Sequence, residues 1–435
     1  MKIMIVNPAF DDGGGITTYA SELITCLSQE HELCIVLPDD SMRPVKNSGV
    51  KVIYHDPMEL SSRNARLFIK LINEDVKPDV VISSFGLIIP VIAPYINDDT
   101  RVITVSHSGK YFNSDYCALN HRYTDHIIAA SSDYNKNYLE KKFHIRDKSK
   151  IRVIYNSLAS DPETETLRFI KQKSDVITIV FAGGSVPGKN SELVLKILCR
   201  MLKTDLNFKF IWAGGSELPL PKRIKNRCRL NNVKQYLQED ERVVFTGRIP
   251  AAEDFVRLVS SANVLLAPSR NEGCSMLLLQ SLRSGSICMV GDYPHSSREI
   301  VENGECGFVL NHRKPEDFVG KLSDIITRPS DYARLYENAH NVFLQKLSYP
   351  VWSASLNAVM GLQANHAPRK NRVSKTGLAI GVLKMKGLKM SSYCKRMLFF
   401  TLGSLASFYV QFIKLKLRKD FPLQTARSDI NRNQF

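Results

Sequence analysis

The sequence predicts an α/β protein made of two doubly wound domains, each with a parallel sheet covered by helices on both faces. Short, almost continuously apolar runs alternate with helix-length segments, which is the pattern of parallel strands buried on both faces. This alternation occurs in two series separated by a polar segment. The length of 435 residues is sufficient for two to three domains.

The first series predicts seven strands, with helices in several of the gaps. The strands are Lys2–Asn7, Glu32–Leu37, Val50–Tyr54, Asp79–Ser83, Arg101–Ser106, His126–Ala130 and Ile151–Ile154. The helices are Thr17–Gln29, Arg63–Asp75 and Ser132–Lys142. We assign residues 1–158 to this first domain.

The second series predicts six further strands in a second domain at residues 175–345. They are Val176–Ala182, Phe208–Ala213, Val243–Thr246, Val264–Ala267, Ile287–Val290 and Phe308–Leu310. The polar residues 159–174 form the linker. Because ligands of open α/β sheets bind beyond the carboxyl ends of the strands, we expect a site in the cleft between the domains.

The positive charge is concentrated at the end of the chain. The net charge is +16, and residues 366–435 contain 15 Lys and Arg against two acidic residues. The body is therefore nearly neutral, which does not indicate a nucleic-acid-binding domain. Nine cysteines without a Cys-x-x-Cys pair indicate a reduced, intracellular protein.

Glycine-rich loops follow the first strand of each predicted domain. Gly13–Gly15 open a helix, and Gly183–Lys189 lead into a helix of the second domain. A helix N-terminus offers N–H groups to an anion, and Lys189 adds a cation, which suits a diphosphate. The first loop lacks the spacing of a dinucleotide fingerprint. The second has the glycine spacing of a P-loop at Gly183 and Gly188, but Asn190 stands where a P-loop has Ser or Thr. Each loop by itself also fits a turn without a ligand.

The segment Ala267–Gly285 is the most informative motif. A strand ends at Pro268, a polar loop presents Glu272, and a helix begins near Ser275. Gln280 lies one to two turns inside that helix, on the side that can face the cleft. A carboxylate, helix N–H groups and an amide suit a sugar nucleotide, with Glu272 on sugar hydroxyls, the helix N-terminus on phosphates and Gln280 on a ribose.

These motifs resemble glycosyltransferase family 4, whose GT-B fold consists of two Rossmann-like domains facing a cleft. Its signature is Glu-x7-Glu within the pattern Pro-Ser-x-x-Glu-Gly-x6-Glu-Ala-x-Ala-x-Gly, and Gln280 replaces the second glutamate. The matching positions are Pro268, Ser269, Glu272, Gly273 and Gly285, with Gly13–Gly15, Ser106-His107, Val153–Asn156, Phe245–Ile249, Glu299–Val301, Gly304 and Gly307 around them. The resemblance covers about residues 1–360.

The resemblance implies a site. Its catalytic residues would be Glu272, His107 and Lys189. Its donor-binding residues would be Gly14, Gly15, Gly184, Arg248, Gly273, Cys274, Ser275, Met276 and Gln280. Gly184 stands where the family has an arginine of its phosphate loop, so Lys189 lacks that partner, and Arg248 and Arg270 are candidates to replace it.

The implied function is retaining transfer of a sugar from a nucleotide sugar to a saccharide acceptor, lipid-linked as in bacterial surface polysaccharide synthesis (O-antigen, capsule or exopolysaccharide). No Asp-x-Asp occurs in the chain, so we expect no metal and no cofactor besides the co-substrate. Three alternatives stay open. They are a weakly active or inactive scaffold subunit, suggested by Gly184 and Gln280, an epimerase of the same fold, and an inverting reaction with His107 as base.

After a predicted crossover helix at residues 346–365, residues 366–435 form a basic tail. Met397–Ile413 contain no charge but are flanked by Lys and Arg and have a narrow polar stripe. We expect residues 378–419 to lie on an anionic membrane surface, which would make the protein peripheral on the cytoplasmic face of the plasma membrane. A helix packed on the body is the alternative, and nucleic acid is not an expected partner.

Overall fold

The structure is a computed structural model of the chain. It describes residues 1–7, 15–38, 50–107, 112–158, 176–183, 187–214, 237, 239–249, 251–293, 295–370, 373–374 and 376–389. Several predictions fall outside these residues: Gly13, Gly14 and Gly184, the linker at 159–174, and the tail from residue 390 onward.

The first domain contains a seven-stranded parallel sheet with the order β3-β2-β1-β4-β5-β6-β7. Its strands are β1 Lys2–Val6, β2 Glu32–Leu37, β3 Lys51–Tyr54, β4 Val80–Ser83, β5 Arg101–Ser106, β6 His126–Ala129 and β7 Ile151–Val153. Its helices are α1 Gly15–Leu27, α2 Ser62–Lys70, α3 Ile88–Ile92, α4 Phe112–Ala118 and α5 Asn137–Phe143. Single π-helical segments, Leu71–Val76 and Ser132–Lys136, extend α2 and precede α5.

The apolar runs form buried strands because both faces of the sheet are covered. Successive side chains of a strand point to opposite faces. Ile3 and Ile5 therefore pack in one cluster with α1, while Met4 and Val6 pack in another with α2 and α3. All four are fully buried.

The second domain contains a six-stranded parallel sheet with the order β10-β9-β8-β11-β12-β13. Its strands are β8 Ile177–Ala182, β9 Phe208–Ala213, β10 Val243–Gly247, β11 Val264–Ala267, β12 Ile287–Gly291 and β13 Gly307–Leu310. Its helices are α6 Ser191–Met201, α7 Ala252–Ser261, α8 Met276–Arg283, α9 Ser296–Ile300, α10 Pro315–Thr327 and α11 Ala333–Lys346. The predicted fold class is confirmed, and each predicted strand ends within one residue of the observed one.

The chain then returns to the first domain. Helix α12, Tyr349–Met360, buries Trp352, Leu356 and Val359 in the cluster that contains Ile3 and Tyr19. The predicted crossover helix at residues 346–365 contains α12. The first domain is thus closed by a helix that follows the second domain in the sequence.

Residues 361–370, which we call the strap, run along the amino ends of β5–β7. The Arg101 side chain donates to the carbonyls of Met360 at 2.7 Å and Leu362 at 2.6 Å. Lys150 Nζ donates to the Asn365 carbonyl at 2.5 Å. The Lys370 amide donates to the Pro94 carbonyl at 2.7 Å. These bonds fix the strap to the first domain.

A buried ion pair anchors the strap. Arg369 Nη2 lies 3.1 Å from Asp125 Oδ2, with side chains that are 1% and 0% exposed. Arg369 also donates to the carbonyls of Asn97 and Thr100 at 2.7 and 2.5 Å. Asp125 in turn accepts the Val102 amide at 2.7 Å. Both charges are paired and hydrogen-bonded, which burial of an ion pair requires.

Residues 376–389 form helix α13, which packs on the first domain. Leu378, Val382 and Met385 are buried in the cluster that contains Val91 and Ile92. The first part of the predicted tail, residues 366–435, thus packs on the first domain, where Arg369 neutralises a buried carboxylate and α13 contributes to the core. Among the helices that the structure describes, none is long and apolar enough to cross a membrane.

We predict that Arg369→Leu lowers the free energy of unfolding by roughly 3–5 kcal/mol, because it leaves Asp125 buried without its cation. Urea unfolding of the full chain measures this. Lys370→Ala is the matched control, since Lys370 is exposed and its side chain lies 5.7 Å from the Tyr95 ring centroid. Equal stability of the two variants would contradict an anchoring role for the strap.

Candidate functional site

The two domains meet where α1 and α8 begin, each just beyond the carboxyl end of a strand. A Cβ atom on Gly15 would lie 3.5 Å from Met276 Cγ, so the first residues of these helices face each other closely. Ser275 has extended backbone at the N-cap of α8, and its hydroxyl makes no capping bond. Two helix N-termini thus converge, and their N–H groups and dipoles favour an anion there.

Asn156, just after β7, holds the loop in front of α8. Its backbone N–H donates to Cys274 Sγ at 3.3 Å, and its side-chain Nδ2 donates to the Cys274 carbonyl at 3.0 Å. Burial raises the pKa of the Cys274 thiol to about 12, so the thiol stays protonated near neutral pH. The Cys274 side chain is therefore a protonated thiol that packs against Asn156 of the first domain. Gly273, the residue before it, is also buried.

Lys189 and Glu272 form the central charged pair of the site. Lys189 Nζ lies 2.6 Å from Glu272 Oε1, and the side chains are 31% and 15% exposed. Lys189 ends a short 3₁₀ turn, Pro187–Lys189, after β8. The structure therefore brings together a cation and a carboxylate that the sequence separates by more than eighty residues, and both stay within reach of a ligand.

The loops that carry these two residues are bonded to each other. The Arg270 amide donates to the Gly188 carbonyl at 2.7 Å. Asn190 adopts left-handed backbone with φ of 56°, and its side chain donates to the Pro268 carbonyl at 3.2 Å. A side chain on Gly183 would lie 3.1 Å from Lys189 Cβ, so glycine there leaves room for the lysine.

His107 follows β5 on the first domain and is neutral. Its Nε2 lies 3.1 Å from Ser84 Oγ, and its ring meets the Tyr19 ring edge-on at 4.7 Å. Tyr19 is on α1, one turn after Gly15, and stacks edge-on against Trp352 of α12. Burial lowers the pKa of His107 from 6.5 to about 4, so the imidazole is a neutral hydrogen-bonding group at pH 7.

His295 supports residues 268–275, the loop that presents Glu272, which we call the glutamate loop. This role of His295 was not predicted from the sequence. It is 1% exposed, its Nδ1 accepts the Ser297 amide at 3.2 Å, and its Nε2 lies 2.9 Å from the Ser269 carbonyl. Since Nδ1 accepts, Nε2 carries the proton, and burial lowers the pKa of the imidazole. The sequence signal for this role was the position of the histidine directly before Ser-Ser-x-Glu, where a side chain can cap the N-terminus of a helix.

Gln280 lies in a buried cluster. It is 4% exposed, its Nε2 donates to Ser260 Oγ at 2.5 Å, and its Oε1 accepts from Arg283 at 2.5 Å. The amide therefore joins α8 to α7. A contact between Gln280 and a ribose stays a prediction, and it would require the amide to leave these partners. Arg248 is exposed after β10, two strands away from Lys189.

A metal centre is not assembled within the described ranges of the chain, since no group of three or more His, Cys, Asp or Glu side chains has a suitable arrangement there. The charge that the site offers to an anion comes from Lys189 and the two helix N-termini.

Two family models match the chain, one for each domain. The model described as Glycosyltransferase Family 4 matches residues 13–160, and the model described as Glycosyl transferases group 1 matches residues 163–342. An uncharacterized glycosyltransferase from Haemophilus influenzae is 23% identical over 164 residues, which is 37% of this chain and 43% of that protein. The match thus spans less than half of that relative's length.

Solved glycosyltransferase structures share the fold. HepE from Anabaena, in complex with UDP-glucose, is 14% identical with a TM-score of 0.62, over 83% of this chain and 100% of HepE. The lipopolysaccharide outer core galactosyltransferase WaaB is 18% identical with a TM-score of 0.64, over 83% of this chain and 99% of WaaB. At these identities the likeness shows the two-domain fold.

We predict that His107→Asn reduces the loss of unfolding free energy that occurs as the pH falls from about 6.5 to 4. An unfolded chain protonates His107 below about pH 6.5, whereas the folded protein does so only near pH 4. The neutral His107 therefore contributes its full stabilisation above pH 6.5. This contribution is lost as the pH falls from 6.5 towards 4. Urea unfolding across this range measures the slope. The control is His144→Asn, at an exposed residue with φ of 52° that asparagine also tolerates. An unchanged slope in His107→Asn would contradict a neutral His107 imidazole.

Proposed function

The chain belongs to the family 4 glycosyltransferases, and we propose that it transfers a sugar from a nucleotide-sugar donor to a saccharide acceptor with retention of configuration at the anomeric carbon. The observation that carries the proposal is the Lys189–Glu272 pair. Glu272 lies in the loop that leads into α8, whose first residue contacts the start of α1. A nucleotide sugar has both a diphosphate and sugar hydroxyls, and these groups match a cation and a carboxylate placed side by side.

Charge on the leaving diphosphate is the main cost of the transfer. Lys189 and the helix N-termini would stabilise that charge, because positive groups fixed beforehand need no reorganisation during the reaction. Glu272 would accept hydrogen bonds from hydroxyls of the donor sugar once Lys189 turns to the phosphate. The 31% exposure of the Lys189 side chain leaves it room for that movement.

The low pKa of His107 supports a retaining mechanism over an inverting one. Inversion needs a base that takes the proton of the acceptor hydroxyl near the working pH. Since burial lowers the pKa of His107 to about 4, it is a weak proton acceptor at pH 7. A neutral His107 suits a hydrogen bond to a donor-sugar hydroxyl, with the departing phosphate assisting the acceptor.

The acceptor is proposed to be a lipid-linked saccharide of a bacterial surface polysaccharide. The support is indirect: WaaB, with the same fold, acts in the lipopolysaccharide outer core. The surface of α13 gives a second, independent reason to place the site near lipid.

Helix α13 is apolar on two opposite faces. Leu378, Val382 and Met385 face the core, whereas Ile380 and Leu383, on the other side, are 47% and 65% exposed. Lys384, Lys386 and Lys389 on the same helix are also exposed. We propose that this outer face rests on the anionic cytoplasmic leaflet, with the apolar side chains at the acyl boundary and the lysines at headgroups.

We predict that Lys189→Met lowers turnover by about 10²–10³-fold, the usual effect of losing one group that stabilises developing charge. Purified protein is assayed with UDP-glucose and other nucleotide sugars, and NMR of the product gives its anomeric configuration. The control is Lys209→Met, at an exposed lysine near the amino end of β9. Wild-type turnover in Lys189→Met would contradict its role, and a product of opposite configuration to the donor would contradict retention.

We also propose transfer without a metal, because fixed cationic groups would replace the metal that an Asp-x-Asp motif holds. We predict that an excess of EDTA leaves initial rates unchanged within about twofold. Loss of turnover in EDTA, restored by Mg²⁺ or Mn²⁺, would overturn this proposal while leaving the glycosyl transfer itself intact.

We predict that the full chain sediments with vesicles of phosphatidylglycerol and phosphatidylcholine, and that Leu383→Glu weakens this binding several-fold. A carboxylate there is repelled by anionic headgroups and is costly at the acyl boundary. The matched control is Leu344→Glu, at a leucine of α11 that is 47% exposed. Equal binding of the two variants would exclude α13 as the contact surface. A truncation after residue 389 keeps the strap and α13, and it isolates the contribution of the remaining tail.

A further inference from the structure

A cavity of about 290 Å³ opens on the second domain, next to the loops that carry Lys189 and Glu272. It is formed by the first turns of α6 and α10 and by the residues that follow β11, β12 and β13. Lys189 and Glu272 are not among the residues that line it. Two arginines and two rings line the cavity. Of these, only Arg270 was considered above, as a candidate to replace the arginine missing at Gly184.

Two guanidinium groups in the cavity have no acidic partner. Arg270 and Arg313 both line it, and neither has a carboxylate within salt-bridge distance in the described part of the chain. The third cation, Lys196, is 3.3 Å from the Glu192 carboxylate, and both of these residues also line the cavity. Unpaired guanidinium groups that converge on a concave surface favour an anionic ligand.

Arg313 is also held in place for such a ligand. His312 Nδ1 contacts the Asp292 carboxylate, and hydrogen bonds from His312 hold the pKa of Asp292 below its usual value although burial raises it. His312 Nε2 then accepts from Arg313 Nε at 3.3 Å. Asp292, His312 and Arg313 thus form a chain that uses one guanidinium donor and leaves the two terminal nitrogens for a ligand.

The wall of the cavity includes a flat aromatic surface. The rings of Tyr293 and His312 are stacked with centroids 3.6 Å apart and an interplanar angle of 30°. An aromatic face attracts the weakly positive C–H groups of a pyranose ring through its negative π density. Each of the two stacked rings covers one face of the other, so an outer face of the pair is the surface that a sugar ring would contact.

Asn190 adds a buried acceptor. The residue is 3% exposed and lines the cavity, and its Oδ1 has no hydrogen-bond partner among the residues that the structure describes. Since its Nδ2 donates to the Pro268 carbonyl, the oxygen is the atom left to accept. A buried acceptor without a donor is costly, and a ligand hydroxyl would supply the missing hydrogen bond.

We propose that this cavity binds an acidic sugar residue, one that carries a carboxylate or a phosphate. The anion would pair with Arg270 and Arg313, a hydroxyl would donate to Asn190 Oδ1, and the ring would stack on the aromatic surface. Inorganic phosphate would pair with the arginines but could not stack. A neutral sugar would leave both guanidinium groups without a partner. The proposal does not depend on the proposed transfer.

The test is titration calorimetry of the full chain with glucuronate, glucose 6-phosphate, glucose and inorganic phosphate. We expect at least one acidic sugar to bind about tenfold more tightly than glucose and inorganic phosphate. The tighter of the two acidic sugars identifies the preferred anion. Arg313→Gln and Arg270→Gln should each weaken that binding about tenfold, whereas Arg334→Gln, at an exposed arginine of α11, should not.

Saturating UDP and the Lys189→Met variant separate this cavity from the transfer site. Acidic-sugar binding should persist in both, even if the protein has no transferase activity. The proposal is overturned if neither acidic sugar binds at about 10 mM, if glucose or inorganic phosphate binds as tightly, or if UDP displaces the sugar. It is also overturned if the Arg334→Gln control loses binding to the same extent as Arg313→Gln.

Discussion

Parallel pairing is the constraint on which the rest of this structure depends. In both described sheets every strand pair is parallel. Each strand must therefore be followed by a crossover, and the loops that leave the carboxyl ends all lie along one edge. This places Gly15, Lys189 and Glu272 at facing edges of two domains, although none of them is near another in the sequence.

Two ion pairs differ in burial, and this difference separates a structural contact from the pair on which the proposed function rests. Arg369 and Asp125 are 1% and 0% exposed, and each has further hydrogen bonds, so water and ligands are excluded. Lys189 and Glu272 are 31% and 15% exposed, so a ligand can replace either partner. The first pair holds the strap on the first domain, whereas the second is the pair to which we assign the donor in the proposed function.

Much of the fold could be predicted because its signals are local. The apolar run Ile3–Val6 and the glycines after it identify a strand and a turn without reference to any distant residue. The glutamate loop around Glu272 was equally clear, since Pro268, Gly273 and Gly285 have a characteristic spacing. In contrast, His295 and Asn190 act through contacts with Ser269 and Pro268, and no spacing in the sequence indicates those partners.

The sequence by itself determined the strands, the two-domain architecture and the identity of the charged residues at the cleft, because periodicity and turn residues are encoded within short windows. Only the tertiary structure decided what those charges do. Arg369 looked like one of many tail cations, yet it neutralises a buried carboxylate more than two hundred residues earlier. Gln280 looked like a cleft residue, yet its amide is engaged by Arg283 and Ser260. The physical reason is that the energy of a charge or an amide depends on its burial and its partners, and both are set by packing between distant segments.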